Sequence, residues 1–146
     1  MKELGTGPIV ETVFVDAEPD AVYALVVEGI GGWWPLPPVS ASGVEVEGLA
    51  FVGDELVEQW ADGSTHHWAD VVGRDEGSAL SLQWNPGGGP APATSVVIDL
   101  VGVAGGTQVR VTHSGWEHLG EEARLDYAAG WPFVLDRLAL AASRLG

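Results

Sequence analysis

A series of short strand signals in the middle of the chain constrains the fold more than any other feature. Between Val44 and His113, β-branched or alternating segments recur at intervals of about 8–12 residues, the spacing of an antiparallel meander. Turn-forming pairs such as Asp62-Gly63 and Gly105-Gly106 separate them. We place a first strand at 9–15 and further strands near 43–47, 50–53, 55–60, 65–73, 79–84, 94–102 and 107–113. This pattern predicts an antiparallel sheet.

The alternation within these strands gives the sheet one apolar face. In 79–84 and 94–102 every second residue is large and apolar, and successive side chains of a strand point to opposite faces. His113 has the parity of Val111, so we expect it to point inward if Val111 does. Asp99 has the opposite parity and is expected to point away from the apolar face.

Two segments change to helical periodicity. The segment "DAEPDAVYALV" after the first strand has Pro19, which suits a first helical turn, and apolar residues at i, i+3/i+4 spacing. After Gly115, apolar residues from Tyr127 to Leu145 recur every three or four positions, so a long helix is expected to pack against the sheet. Pro132 predicts a kink or a break in it. With no repeat or linker, residues 1–146 are expected to form one α+β domain.

The composition excludes several classes of partner and site. Six Lys and Arg against 21 Asp and Glu give a formal net charge of −15, which disfavours nucleic acid and anionic membranes. No window has the roughly 20 apolar residues of a membrane helix. Because the chain has no cysteine, disulfides, thiolate metal sites and cysteine nucleophiles are excluded. We expect a soluble, cytoplasmic protein without a cofactor.

Seven tryptophans are present in this short chain. Their indole N–H groups need partners, so a dry core is seldom built mainly from them, and the set favours a cavity lined by amphipathic rings. Several of them could equally fill a core beneath the helix. They are Trp33, Trp34, Trp60, Trp68, Trp84, Trp116 and Trp131.

Polar side chains give weaker signals. His66 and His67 are neighbours on a predicted strand and point to opposite faces, so they cannot share a metal ion, and no metal site is predicted. The chain has no G-x-S-x-G motif for a serine nucleophile. Among carboxylates only Asp99, between two apolar residues, is a candidate for burial. His113 is either a hydrogen-bonded structural residue or a ligand-contacting group.

Six segments together resemble a known family. In order they are "AEPDAVYALV" followed by "WWP", then "EQWADGSTHHWADV", "LSLQW", "GGTQVRVTHSGW" and "YAAGWPFVLDRL". The chain resembles the START-like, or SRPBCC, superfamily, and within it the stand-alone domains related to the activator of Hsp90 ATPase. The resemblance implies a helix-grip fold, in which a curved antiparallel sheet wraps around a long C-terminal helix and encloses a cavity. It implies a lining of Trp68, Leu82, Trp84, Ile98, Val111, His113, Tyr127 and Trp131.

Three functional hypotheses follow. The first is binding of a small apolar molecule by a monomer or homodimer, with His113, Tyr127 or an indole N–H orienting a polar group of the ligand. Trp33 and Trp34, in the "GGWWPLPP" loop, join the predicted ligand-binding residues, and this loop and loop 85–95 are candidate gates. The second is a cyclase or dehydratase using His113 and Tyr127 for proton transfer. The third is a module that binds a chaperone or another protein. We favour binding over catalysis.

Overall fold

The computed structural model describes residues 7–34, 45–84, 94–116 and 121–144. Its strands and helices are β1 (Ile9–Val15), α1 (Pro19–Val27), a 3₁₀ turn (Ile30–Gly32), β2 (Val46–Val52), β3 (Glu55–Trp60), β4 (Thr65–Asp75), β5 (Ala79–Trp84), β6 (Thr94–Val103), β7 (Gly106–Ser114) and α2 (Glu121–Ala142). All seven strands form one antiparallel sheet in the order β1-β7-β6-β5-β4-β3-β2. The curled sheet and the C-terminal helix form the predicted helix-grip arrangement.

The predicted strand pattern is confirmed except at β2. Strands near 43–47 and 50–53 were expected to be separate, but residues 46–52 form one strand, and positions 43 and 44 lie outside the described residues. The pairing of β2 with β3 shifts register between Val46 and Gly48. An extra residue in a ladder is a β-bulge, which interrupts the alternation without ending the strand. The bulge therefore lies where the sequence pattern indicated a gap.

The helix break predicted at Pro132 is wrong, because α2 is continuous from Glu121 to Ala142. Pro132 is exposed, whereas Trp131, Leu135 and Leu138 are buried on the opposite side of the helix. A proline removes one helical hydrogen bond, and buried contacts on both sides of it hold the remaining turns in place. Whether α2 bends there stays a prediction.

The core lies between the concave face of the sheet and the inner face of α2. Trp131, Leu135 and Leu138 of α2 are buried, together with Val109 and Val111 of β7. His113 is also fully buried, which confirms the inward parity predicted for it. The sheet and α2 therefore enclose an aromatic and aliphatic interior that contains the imidazole of His113.

Candidate ligand cavity at the tryptophan cluster

A small apolar cavity lies between the sheet, α1 and α2. Its volume is about 20 Å³, and its walls are entirely apolar. Seven of the ten predicted ligand-binding residues line it, namely Trp33, Trp34, Leu82, Trp84, Ile98, Val111 and Trp131. The prediction did not include several other apolar residues of the lining. Examples are Val26 of α1, Ile30 of the 3₁₀ turn, Phe51 of β2 and Leu138 of α2. A cavity of this volume has room for about one water molecule.

The remaining three predicted residues adjoin the cavity without lining it. The ring of Trp68 lies 5.8 Å from those of both Trp34 and Trp84, measured between centroids. The His113 ring lies 6.2 Å from that of Trp84 and 5.9 Å from that of Trp131, and the Tyr127 ring lies 5.0 Å from that of His113. The ten residues therefore form one contiguous cluster.

The 3₁₀ turn after α1 places the Trp33–Trp34 pair over the sheet. Gly31 permits this, because a Cβ atom at that position would lie 2.7 Å from the backbone oxygen of Leu49 in β2. Trp33 is then anchored from two sides. Its indole N–H donates to the Leu25 carbonyl at 3.0 Å, and its own carbonyl accepts from Arg137 Nε of α2 at 2.8 Å.

Trp34 lies at the centre of the aromatic cluster. Its ring centroid is 5.8 Å from Trp33, 5.8 Å from Trp68, 6.0 Å from Trp84 and 5.9 Å from Trp131. Two of these contacts are edge-to-face and two are tilted, which are favourable geometries for aromatic pairs. Trp34 is only partly buried, whereas Trp33, Trp84 and Trp131 are buried.

His113 is hydrogen-bonded through both ring nitrogens. Trp131 Nε1 lies 3.1 Å from His113 Nδ1, and because an indole N–H can only donate, Nδ1 accepts. The neutral ring therefore carries its proton on Nε2 and donates it to Thr94 Oγ1 at 2.7 Å. Thr94 in turn donates to the Trp84 carbonyl at 3.4 Å.

This network fixes His113 in the neutral form. Burial lowers the pKa of His113 from 6.5 to about 4. A proton added at Nδ1 would face the N–H of Trp131, so the bonding pattern disfavours the cation as well. Of the two interpretations of His113, the geometry favours the structural one.

Tyr127 contributes a hydroxyl group to the cluster. Its oxygen accepts from Trp84 Nε1 at 3.1 Å, and its own proton has no acceptor among the residues that the structure describes. Burial raises the pKa of Tyr127, with the bond from Trp84 acting in the opposite direction, so the phenol is protonated at neutral pH. The fully buried Trp116 packs beside it at 5.5 Å and donates to the His113 carbonyl.

Among the described residues Glu58 is the buried carboxylate, and it was not predicted from the sequence. Its side chain is almost fully buried, and its two oxygens accept from Trp60 Nε1 at 2.7 Å and Trp68 Nε1 at 2.9 Å. Asp99, the residue considered for burial, is about one-third exposed with Arg110 at 3.9 Å. Strand parity could have identified Glu58, because it shares the face of the buried Leu56 and of Trp60.

Replacing Glu58 with Gln is expected to lower the free energy of unfolding by about 1–3 kcal/mol. Glutamine offers one acceptor oxygen, so one of the two buried indole N–H groups would face an amide NH₂. Urea denaturation measures the change. Glu55→Gln is the matched control on the exposed side of the same strand, and equal effects of the two substitutions would contradict this role of Glu58.

His66 and His67, the other histidines of the described residues, have different neighbours. His66 stacks on Trp60 with the ring planes 15° apart, whereas His67 Nε2 lies 3.1 Å from Asp70 Oδ1. Across the described ranges, no three His, Asp or Glu side chains are grouped so that they could hold a metal ion. Likewise, none of the helices in the described part of the chain is long and apolar enough to span a membrane.

Comparison with known families now identifies the fold. The model of the Activator of Hsp90 ATPase homolog 1-like protein family matches residues 16–142, from the end of β1 to the end of α2. The chain belongs to this family. The AHSA1-like assignment covers every residue that lines the cavity, from Val26 to Leu138. A comparison with curated protein sequences gives no significant match.

Solved structures share the fold of this AHSA1-like chain at low sequence identity. Protein MLL2253 from Mesorhizobium loti superposes with a TM-score of 0.69 at 18% identity, covering 95% of this chain and 98% of that one. The Aha1 dimer from Colwellia psychrerythraea gives 0.67 at 21% identity, with 92% and 96% covered. An anthrahydroquino-γ-pyrone synthase, Txn09, complexed with SUM, gives 0.61 at 22% identity, with 92% and 96% covered.

Proposed function

We propose that this AHSA1-like chain binds a small, flat, apolar molecule between the sheet and α2. The observation that carries the proposal is the cluster of indole rings around the cavity, in which Trp34 is surrounded by four other tryptophans. Such rings offer large apolar area and favourable stacking to a planar ligand. The adjoining Tyr127 hydroxyl supplies one hydrogen-bond donor for a polar group on that ligand.

The other polar groups are already hydrogen-bonded within the protein, which limits the kinds of ligand that the cavity suits. The indole N–H groups of Trp33, Trp68, Trp84 and Trp131 all donate to protein acceptors. A ligand rich in acceptors would find no free donor among them, and burying its polar groups unpaired would weaken binding. The lining therefore suits a hydrocarbon-like ring system with one acceptor. A structural neighbour named as an anthrahydroquino-γ-pyrone synthase supports a fused-ring ligand by analogy of fold alone.

The geometry supports binding better than proton-transfer catalysis. His113 and Tyr127 converge, as the enzymatic hypothesis requires, with ring centroids 5.0 Å apart. However, both nitrogens of His113 are hydrogen-bonded within the protein, and its side chain is inaccessible to solvent. A general base needs a free nitrogen within reach of the substrate proton. His113 therefore supports the walls of the cavity and does not provide a base.

Titration calorimetry with 2-naphthol tests the proposal. This neutral probe has two fused rings and one hydroxyl oxygen that can accept from Tyr127. We expect saturable binding to the wild-type chain. Tyr127→Phe should weaken this binding about tenfold, because it removes one hydrogen bond of about 1.4 kcal/mol. Tyr23→Phe is the control, because the Tyr23 hydroxyl has no partner among the described residues and Tyr23 lines a separate cleft beside Arg74 and Gly77. Absence of saturable heat with the wild-type chain would refute the proposal.

A further inference from the structure

The tryptophans around the cavity are held in two different ways. Four of them are fixed by indole hydrogen bonds: Trp33 to Leu25, Trp68 to Glu58, Trp84 to Tyr127 and Trp131 to His113. Trp34 is held by ring contacts, and its indole N–H has no acceptor among residues 7–34, 45–84, 94–116 and 121–144. The central ring is thus the one with the fewest directional restraints.

The space available also makes Trp34 the side chain that must move. A volume of about 20 Å³ cannot accept even one aromatic ring, so a ligand needs a side chain to leave. Trp33, Trp84 and Trp131 are buried, and moving any of them would break the hydrogen bond of its indole N–H. Trp34 is partly exposed and can turn outward without breaking a hydrogen bond to the described residues.

We infer that the indole of Trp34 occupies the ligand position of its own cavity. The ring must leave before a ligand enters, and the ligand it makes room for is a fused two-ring aromatic of about its own size. Such a ligand would receive the same four aromatic contacts that Trp34 now makes. This inference rests on the proposed function. It adds the class of ligand and assigns to the Trp34 side chain the control of access to the cavity.

When a side chain competes with the ligand, the apparent affinity is the intrinsic affinity multiplied by the fraction of molecules in which that side chain is displaced. Removing it must therefore tighten binding. If Trp34 instead formed a wall on which the ligand stacks, removing it would weaken binding. Tighter binding after removal of Trp34 therefore indicates a competing side chain, and weaker binding indicates a wall of the site.

The test compares 2-naphthol binding to the wild-type chain and to Trp34→Ala by titration calorimetry. We expect the variant to bind at least tenfold more tightly and also to bind indole, which replaces the lost ring. Phe133→Ala is the control, because Phe133 is exposed on the outer face of α2 and does not line the cavity. Equal or weaker binding by Trp34→Ala, with the wild type still binding, would overturn the inference and leave the proposed function intact. No binding by either protein would overturn both.

A second measurement does not depend on the folding of Trp34→Ala. In the wild-type chain labelled with 5-fluorotryptophan, the ¹⁹F resonance of Trp34 can be assigned from a Trp34→Phe variant. Addition of 2-naphthol is expected to move this resonance most, towards the position of exposed indole. If the Trp34 signal stays in place while those of Trp84 and Trp131 shift, Trp34 does not vacate the cavity.

Discussion

Lowering the pH from 7 to 4 is expected to reduce the free energy of unfolding by about 3 kcal/mol through His113 alone. Burial holds the pKa of His113 near 4 in the folded chain, against 6.5 for the exposed side chain. The unfolded state therefore binds the proton first as the pH falls. The contribution of His113 is fully present above about pH 6.5 and is lost between that pH and about 4.

Comparison with a His113→Asn variant isolates this effect. Asparagine retains an acceptor for the N–H of Trp131 but does not titrate, so the variant is less stable at pH 7 and its stability changes less towards pH 4. The 21 acidic side chains titrate in both proteins, and their effects cancel in the difference. Urea unfolding at several pH values gives the two curves. Parallel curves would show that His113 does not carry a depressed pKa.

Replacing Trp131 with Ala is expected to cost about 3–5 kcal/mol of stability. The ring is buried between α2 and the sheet, and its loss leaves a cavity and deprives His113 Nδ1 of its donor. Trp131→Phe keeps most of the apolar contact and loses only the N–H, so it is expected to cost about 1–2 kcal/mol. It should also raise the pKa of His113, because the lost bond favours the neutral ring.

Phe133→Ala provides the control for the Trp131 variants on the same helix. Phe133 is more than half exposed on the outer face of α2, so its truncation should change stability by no more than about 0.5 kcal/mol. Urea denaturation measures all three variants, and NMR titration follows His113. A loss in Phe133→Ala as large as that in Trp131→Ala would contradict the placement of α2.

Strand periodicity predicted the sheet and the inward position of His113 because parity along a strand is a local property of the sequence. The hydrogen bonds of His113 could not be predicted in the same way. They join Thr94 of β6 and Trp131 of α2, which only the packed fold brings together. The same limit applies to Pro132, where contacts of α2 with the sheet outweigh a local helix-breaking preference.

The composition predicted a cavity, but it did not predict how small the cavity is. The excess of tryptophan indicated a cavity, and seven of the predicted residues do line one. The volume of the cavity depends on where each ring lies. Trp34 lies at the centre of the aromatic cluster because Gly31 lets the 3₁₀ turn pack closely against Leu49. The parity of Glu58 with Leu56 is visible in the sequence, whereas its two indole donors, from its own strand and from β4, are brought together only by strand pairing.

Intermolecular NOEs between 2-naphthol and the methyl groups of the wild-type chain test the central claim most directly. Binding within the cavity predicts NOEs from the naphthol ring protons to Leu82, Val111 and Leu138, which line it. NOEs confined to exposed methyl groups such as those of Val72 and Val101 would contradict binding between the sheet and α2.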